Sequence, residues 1–306
     1  MRKWVGAALL IMFFAGFIPV TKTIGFKINA SFFNVYAQLS SPKNWLNWQP
    51  ELKATTNPNS IKTDSSATAF TITAPSVIFT VVKGGLGNFI IEQNRHTKYS
   101  CTLMPDEKSG KTLGIVSENI STWKYLWISL TGYDISGTPL GELKIFMEDP
   151  TLYYGFNIQK KFTGEKLILV EKASALRSAF NDRSNQMLHD LNDFIAKNDL
   201  KITSPLQLQY LSETPDSLQW IMGLPVNKKA AVSNSIEYMN MPKGKILVGY
   251  FNGAYKDRKR IYDAMHQYMG DNYIRPMILP FEVFKDYKLP QSDTEKVSMQ
   301  LIIPYM

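Results

Sequence analysis

Cysteine is almost missing from this chain. Cys101 is the single one in 306 residues, so no internal disulfide can form. Histidine is nearly as scarce, with three, and together these counts leave little room for a His/Cys metal cluster. A carboxylate-only metal site has no supporting pattern, and no cofactor is expected. Charge of one sign is in modest supply. Against 26 Asp+Glu there are 34 Lys+Arg, a net +8 that is scattered along the chain. Such an excess favours solubility, or attraction to an anionic membrane, over nucleic-acid binding. The sharpest basic run, Lys256, Arg258, Lys259 and Arg260, comes without a helix-turn-helix or other reader module, and reads as a solvated helix start. Gly84-Gly85-Leu86-Gly87 lacks the Lys-Ser/Thr ending of a phosphate-cradling loop and suits a hairpin turn instead.

What is present is ordinary globular material. Hydrophobic residues make up 44% and charged residues 20%, and the length suits about two folded units. The first feature met is apolar. After Met1-Arg2-Lys3, the 17 residues Trp4–Val20 carry no charge. As a helix they would reach roughly 25 Å, near the short end of a membrane span. The expectation is an uncleaved single-pass anchor over 1–23 in a bacterial cell membrane. Arg2 and Lys3 would stay inside and the bulk of the chain would be extracytoplasmic, that is periplasmic. A cleaved secretory peptide is the alternative, although no small-x-small cleavage site follows Val20.

Residues 24–155 read as one mostly antiparallel unit. A short alternating run, Gly25–Ala30, precedes a helical stripe of Phe32, Val35, Tyr36 and Leu39 behind Ser31. Trp45 and Trp48 follow, three apart and bounded by Pro42 and Pro50. They suit one side of a short helix, as core or as a ligand wall. Strands are expected over Ala67–Thr73, Val77–Val82, Asn88–Glu92, Tyr99–Met104, Thr112–Ser117 and Lys124–Leu130. Leu140–Met147 fits a short helix or a further strand. On residues 26–50, FKINASFFNVYAQLSSPKNWLNWQP, this unit resembles the SRPBCC superfamily, the START and polyketide-cyclase-like proteins. That resemblance implies a helix-grip fold around a cavity.

Residues 156–306 contain an apparent duplication. Lys166–Val170 reads as a strand, Ser174–Lys197 as a helix, and 206–211 and 217–226 as strands. The order returns as 245–248, then Asp257–Met269, then 281–286 and 297–306. Lys166 to Lys245 and Pro225 to Pro304 are both offsets of 79, so two βαββ units are the simplest account. The expected class is therefore α+β, a helix-grip-like antiparallel sheet domain plus a duplicated βαββ domain behind a transmembrane helix.

The segments Met241–Val248, Asn252–Tyr255, Pro280–Phe284 and Leu301–Pro304 resemble the GyrI-like effector-binding domain. Two departures stand out, Phe284 for a frequent tyrosine and Ala254 for a frequent proline. The resemblance implies a pseudo-symmetric cleft for a small hydrophobic, often cationic, molecule. It places Glu282 as counter-charge and Phe281, Phe284, Tyr255 and Trp220 as candidate walls. The residues themselves leave a second reading open. Strand alternation puts Phe281 and Val283 on one face, so Glu282 could simply meet water.

No catalytic residue is assigned. His96 lies five residues from Cys101 across an expected turn, a weak Cys/His pair, and His189 and His266 read as surface or packing residues. The sequence thus points to a membrane-anchored protein that senses, sequesters or presents a small molecule. A hydrolase-like enzyme acting in the same cleft, and a structural protein without a ligand, remain the rivals.

Overall fold

The computed structural model describes residues 16–131, 135–232 and 235–306. The chain divides into two compact units, Met1–Tyr153 and Tyr154–Met306.

The first unit is built on strand β1 (Pro19–Ile28), helices α1 (Phe32–Ser40) and α2 (Pro42–Trp48), and a meander. The meander runs through β2 (Lys62–Ser65), β3 (Ala69–Thr73), β4 (Ile78–Lys83), β5 (Asn88–Gln93), β6 (Thr97–Pro105) and β7 (Thr112–Ser121). Helices α3 (Thr122–Thr131) and α4 (Pro139–Glu148) follow. The sheet order is β1-β7-β6-β5-β4-β3-β2. Every pairing in it is antiparallel, and the side chains alternate between buried and open as a one-faced sheet requires. Ser31 caps α1 by accepting from the Asn34 backbone N–H at 3.3 Å, and Pro42 opens α2 at a position that needs no donor. Trp45 is fully buried. Its Nε1 donates to the Leu39 carbonyl at 3.1 Å, and its ring lies 4.5 Å from that of Trp48 and 5.1 Å from that of Phe79. The tryptophan pair is core. Between β4 and β5, Gly87 has a φ of +86°, and a Cβ there would sit 2.4 Å from the Leu103 carbonyl, so that turn position requires glycine.

Three expectations are corrected here. Part of the anchor expected over 1–23, residues 1–15, lies outside the described residues. The end of the expected anchor, from Pro19 on, is not helical: Pro19–Ile28 is extended and pairs residue for residue with β7, from Pro19↔Ser121 to Ile28↔Thr112. Among the described residues no helix is long and apolar enough to cross a membrane. The transmembrane element of the fold class, the membrane partner and the single-pass periplasmic placement all rested on that helix and are withdrawn. Second, 124–130 is helical within α3. Trp123, Leu126, Trp127 and Leu130 recur at three- and four-residue spacing, a period hidden by their aromatic, strand-like character. Third, the helix-grip fold implied for this unit is not supported; Leu140–Met147 is helical, as one of its two readings had it, within a helix of only 10 residues that ends at Asp149 before Pro150.

The second unit holds an eight-stranded sheet. Its strands are β8 (Ile158–Thr163), β9 (Lys166–Leu176), β10 (Leu206–Glu213), β11 (Ser217–Val226), β12 (Ile236–Met241), β13 (Gly244–Ala254), β14 (Phe281–Phe284) and β15 (Lys296–Tyr305). Helix α5 (Phe180–Lys197) follows β9 and α6 (Lys259–Asp271) follows β13, each through a short 3-10 turn. The order is β12-β9-β11-β10-β14-β15-β13-β8. Residues 166–226 and 244–305 therefore run through the same strand, turn, helix, strand, strand. They meet at the antiparallel β10–β14 seam, where Leu206 faces Phe284 and Leu208 faces Glu282. The edge strands are exchanged: β8, which precedes the first half, pairs with β13 of the second, while β12 pairs with β9.

Both faces of this sheet are apolar. Leu169, Leu208, Trp220, Met222, Leu247, Phe284 and Leu301 join the core beneath the helices. Ile168, Val170, Ile221, Val248, Phe281, Val283 and Ile302 cluster on the other face. This explains why β11 and β14 read as nearly continuous hydrophobic runs.

Candidate functional site

Glu282 is wholly buried at the middle of the second unit's sheet. With four residues, β14 alternates: Phe281 and Val283 go to the helix-free face, and Glu282 and Phe284 go under the helices. The reading of Glu282 as a solvated strand residue therefore fails, because both faces of β14 are covered.

An isolated carboxylate cannot stay charged in such a place without partners. Glu282 has three. Tyr255 donates its hydroxyl to Oε2 at 2.8 Å, Tyr262 donates to Oε1 at 3.0 Å, and the Arg258 Nε lies 3.4 Å from Oε1. The Tyr210 and Tyr255 hydroxyls are 2.8 Å apart. Since Tyr255 spends its proton on Glu282, Tyr210 is the donor in that pair. The Arg258 guanidinium lies 4.3 Å from the Tyr255 ring centroid and 5.5 Å from that of Tyr210. Cation, two π faces and carboxylate form one closed box.

Burial pushes the Glu282 pKa up, and Arg258 and the Tyr255 and Tyr262 hydroxyls pull it back part of the way. Burial, then the Glu282 charge, holds the Tyr255 and Tyr262 phenols well above their ordinary value. They remain donors at any physiological pH, so the carboxylate is the anion that Arg258 answers.

Local sequence explains the assembly. Tyr255, Arg258 and Tyr262 follow one another at spacings of three and four across the turn into α6, which puts them on one side of it. Phe180 opens α5, and Arg258 stands immediately before α6. Both lie against Tyr210, Phe180 with its ring centroid at 6.0 Å and Arg258 with its guanidinium. One half supplies an apolar ring at this point and the other a cation.

Arg258 and Tyr210 also form a partition. On one side lies a cleft of about 390 Å³, walled by both residues and by Glu213, Lys259, Tyr262, Asp263 and His266. On the other lies a cleft of about 240 Å³, walled by the same pair and by Arg177, Phe180, Tyr255 and Ser292.

No family model matches the chain, and no curated protein does. The SRPBCC expectation for residues 26–50 is withdrawn with that result. Solved structures give weak likenesses. The chain is similar to the EcmrR C-terminal domain at 14% identity, over 49% of this chain and 98% of that one, with a TM-score of 0.41. An uncharacterized conserved protein from Listeria innocua matches at 13% identity, over 49% of this chain and 92% of that one, with a TM-score of 0.39. SAV2435, solved bound to tetraphenylphosphonium, matches at 12% identity, over 49% and 93%, with a TM-score of 0.33.

Of the residues singled out in the sequence, Glu282, Tyr255 and Phe284 come together, with the Tyr255 and Phe284 ring centroids 6.3 Å apart. Trp220 stands one ring back, packed on Phe180 at 4.9 Å, and Phe281 points to the opposite face. Tyr210, Arg258 and Tyr262 were missed. Arg258 had been grouped with an exposed basic run, yet it alone of that run turns inward. The three- and four-residue spacing from Tyr255 was the signal that could have found it.

Cys101 is buried on β6 with its thiol pushed up to about 12 by desolvation, whereas His96 sits in the turn before that strand. It is expected to ignore a disulfide reagent such as DTNB at pH 8 in the folded chain and to react fully in denaturant. Rapid reaction without denaturant would contradict this burial.

Proposed function

We propose that the second unit is a small-molecule receptor of the effector-binding type. Its ligand is an apolar body carrying a positive charge, and that charge competes with Arg258 for Glu282. One observation carries the reading: a carboxylate with no solvent contact is kept at the sheet centre, answered by a cation lying on two aromatic rings, at the wall between two open clefts. Replacing such a pair with apolar residues is often neutral or stabilising for a fold, so packing alone does not call for it. The larger cleft offers Tyr210 and Tyr262 as aromatic surface for an organic cation, while its Asp263 is already paired with Lys259 at 2.7 Å and its Glu213 with Arg177 at 3.0 Å, so Glu282 is the acid left for the guest to compete for.

The test uses tetraphenylphosphonium as the cation and triphenylphosphine oxide as its neutral counterpart, titrated into the full chain by calorimetry. Glu282→Gln should weaken the cation about tenfold, the worth of roughly 1.4 kcal/mol, and leave the neutral probe unchanged. Arg258→Ala should tighten the cation by a similar factor, more so at higher pH, where the freed carboxylate ionises. Equal affinities across wild type and both variants would remove Glu282 from any binding role.

A further inference from the structure

The helix-free face of the same sheet holds a separate cavity that the Glu282 box does not touch. It measures about 170 Å³, and its floor is apolar: Ile168, Val170, Ile221 and Phe281, all buried. Gly223 makes the hole. A side chain there would collide with the floor, since a Cβ would stand 2.7 Å from Ile168 Cγ2 and 3.0 Å from Val170 Cγ1. Directly across from Gly223 on β10 is Gln207, more than nine-tenths buried and lining the cavity. Its side-chain amide makes no hydrogen bond among the described residues. Its neighbour on the same face, Gln209, is occupied, donating Nε2 to the Leu279 carbonyl at 2.8 Å. That bond, with Met277 N donating to the Pro304 carbonyl at 2.9 Å, holds the segment carrying Ile278 at the cavity mouth. The segment 239–242 lines the rest, with Asn240 as a further amide at the exposed edge.

The Gln207 amide atoms are accessible rather than sealed in the core, so its donor and its acceptor both open onto the cavity and are free to meet a guest. An apolar cavity of roughly 150 Å³ is large enough to take benzene. No charged side chain lines this one, so an ion would enter without a partner. We propose that this cavity binds a small neutral molecule, one ring in size, whose amide-like donor and acceptor pair with Gln207 while its ring lies on Ile168, Val170, Ile221 and Phe281. The site is independent of the cation box and stands or falls separately from it.

Benzamide, with toluene as the probe lacking the amide, tests the assignment on the full chain with isoleucine methyl groups labelled for NMR. Benzamide should shift the methyls of Ile168, Ile221 and Ile278 and leave Ile261, on the buried side of α6, in place. Gln207→Leu, which keeps the bulk and removes the amide, should weaken benzamide five- to tenfold and spare toluene. Ile278→Trp, at a half-exposed rim position that the core does not depend on, should block both probes. The proposal is overturned if benzamide leaves the three methyls unmoved, if Ile261 responds instead, or if its affinity survives Gln207→Leu and Ile278→Trp unchanged.

Discussion

Arg258→Ala is expected to cost the second unit about 3 kcal/mol of stability at pH 8 and far less at pH 5. The direction follows from Glu282. Burial raises its folded pKa above the ordinary carboxylate value, so between those two values the folded chain holds more protons than the unfolded one. Stability therefore falls as pH rises through that window and levels off above it. In the wild type Arg258 is one of the groups that hold the upper limit down. Without it the limit climbs and the fall runs deeper, while at low pH a protonated Glu282 has no charge to leave unpaired. Urea unfolding of both chains at several pH values gives the difference directly. A loss of the same size at pH 5 and pH 8 would mean that Arg258 contributes packing and not charge.

Trp45→Ala is expected to destabilise the first unit by about 3–5 kcal/mol. The ring is fully enclosed, lies against Trp48, Phe79 and Phe70, and spends its N–H on the Leu39 carbonyl at the end of α1. Truncation opens a cavity between two helices and the sheet and strips that carbonyl of its donor. Neither can be relieved by a small shift, because α2 is bracketed by Pro42 and Pro50. The midpoint of urea unfolding reports the loss, and a change below about 1 kcal/mol would show that the helices close over the gap.

Much of this architecture was readable where side-chain period and turn chemistry agree. Ser31 before a stripe of Phe32, Val35 and Leu39 marks α1, and period-two runs between glycine and asparagine turns mark β3 to β7. What escaped was decided by neighbours distant in sequence. The strand character of Pro19–Gly25 comes from β7, about a hundred residues away, and nothing local distinguishes an apolar strand from the end of an apolar helix. The edge strands carry an interrupted hydrophobic signal, β8 through Gln159, Lys160 and Lys161 and β12 through Glu237 and Asn240, because each is paired on one side only. At the site, the acid and one tyrosine were legible, but the inward turn of Arg258 was not. A charged residue in a basic run betrays its burial only when the carboxylate it serves is known.

The exchanged edges have a consequence for how this unit can be dissected. Because each half lends its leading strand to the other, neither is a free-standing piece. A fragment of 154–230 would keep β8 with no strand to lie beside and would leave the rim of β9 bare, an invitation to pair with another molecule. The two halves are interleaved like clasped hands. Excision, circular permutation or fusion must take or leave the pair whole, and a cut between them is expected to yield aggregates, not two smaller folded domains.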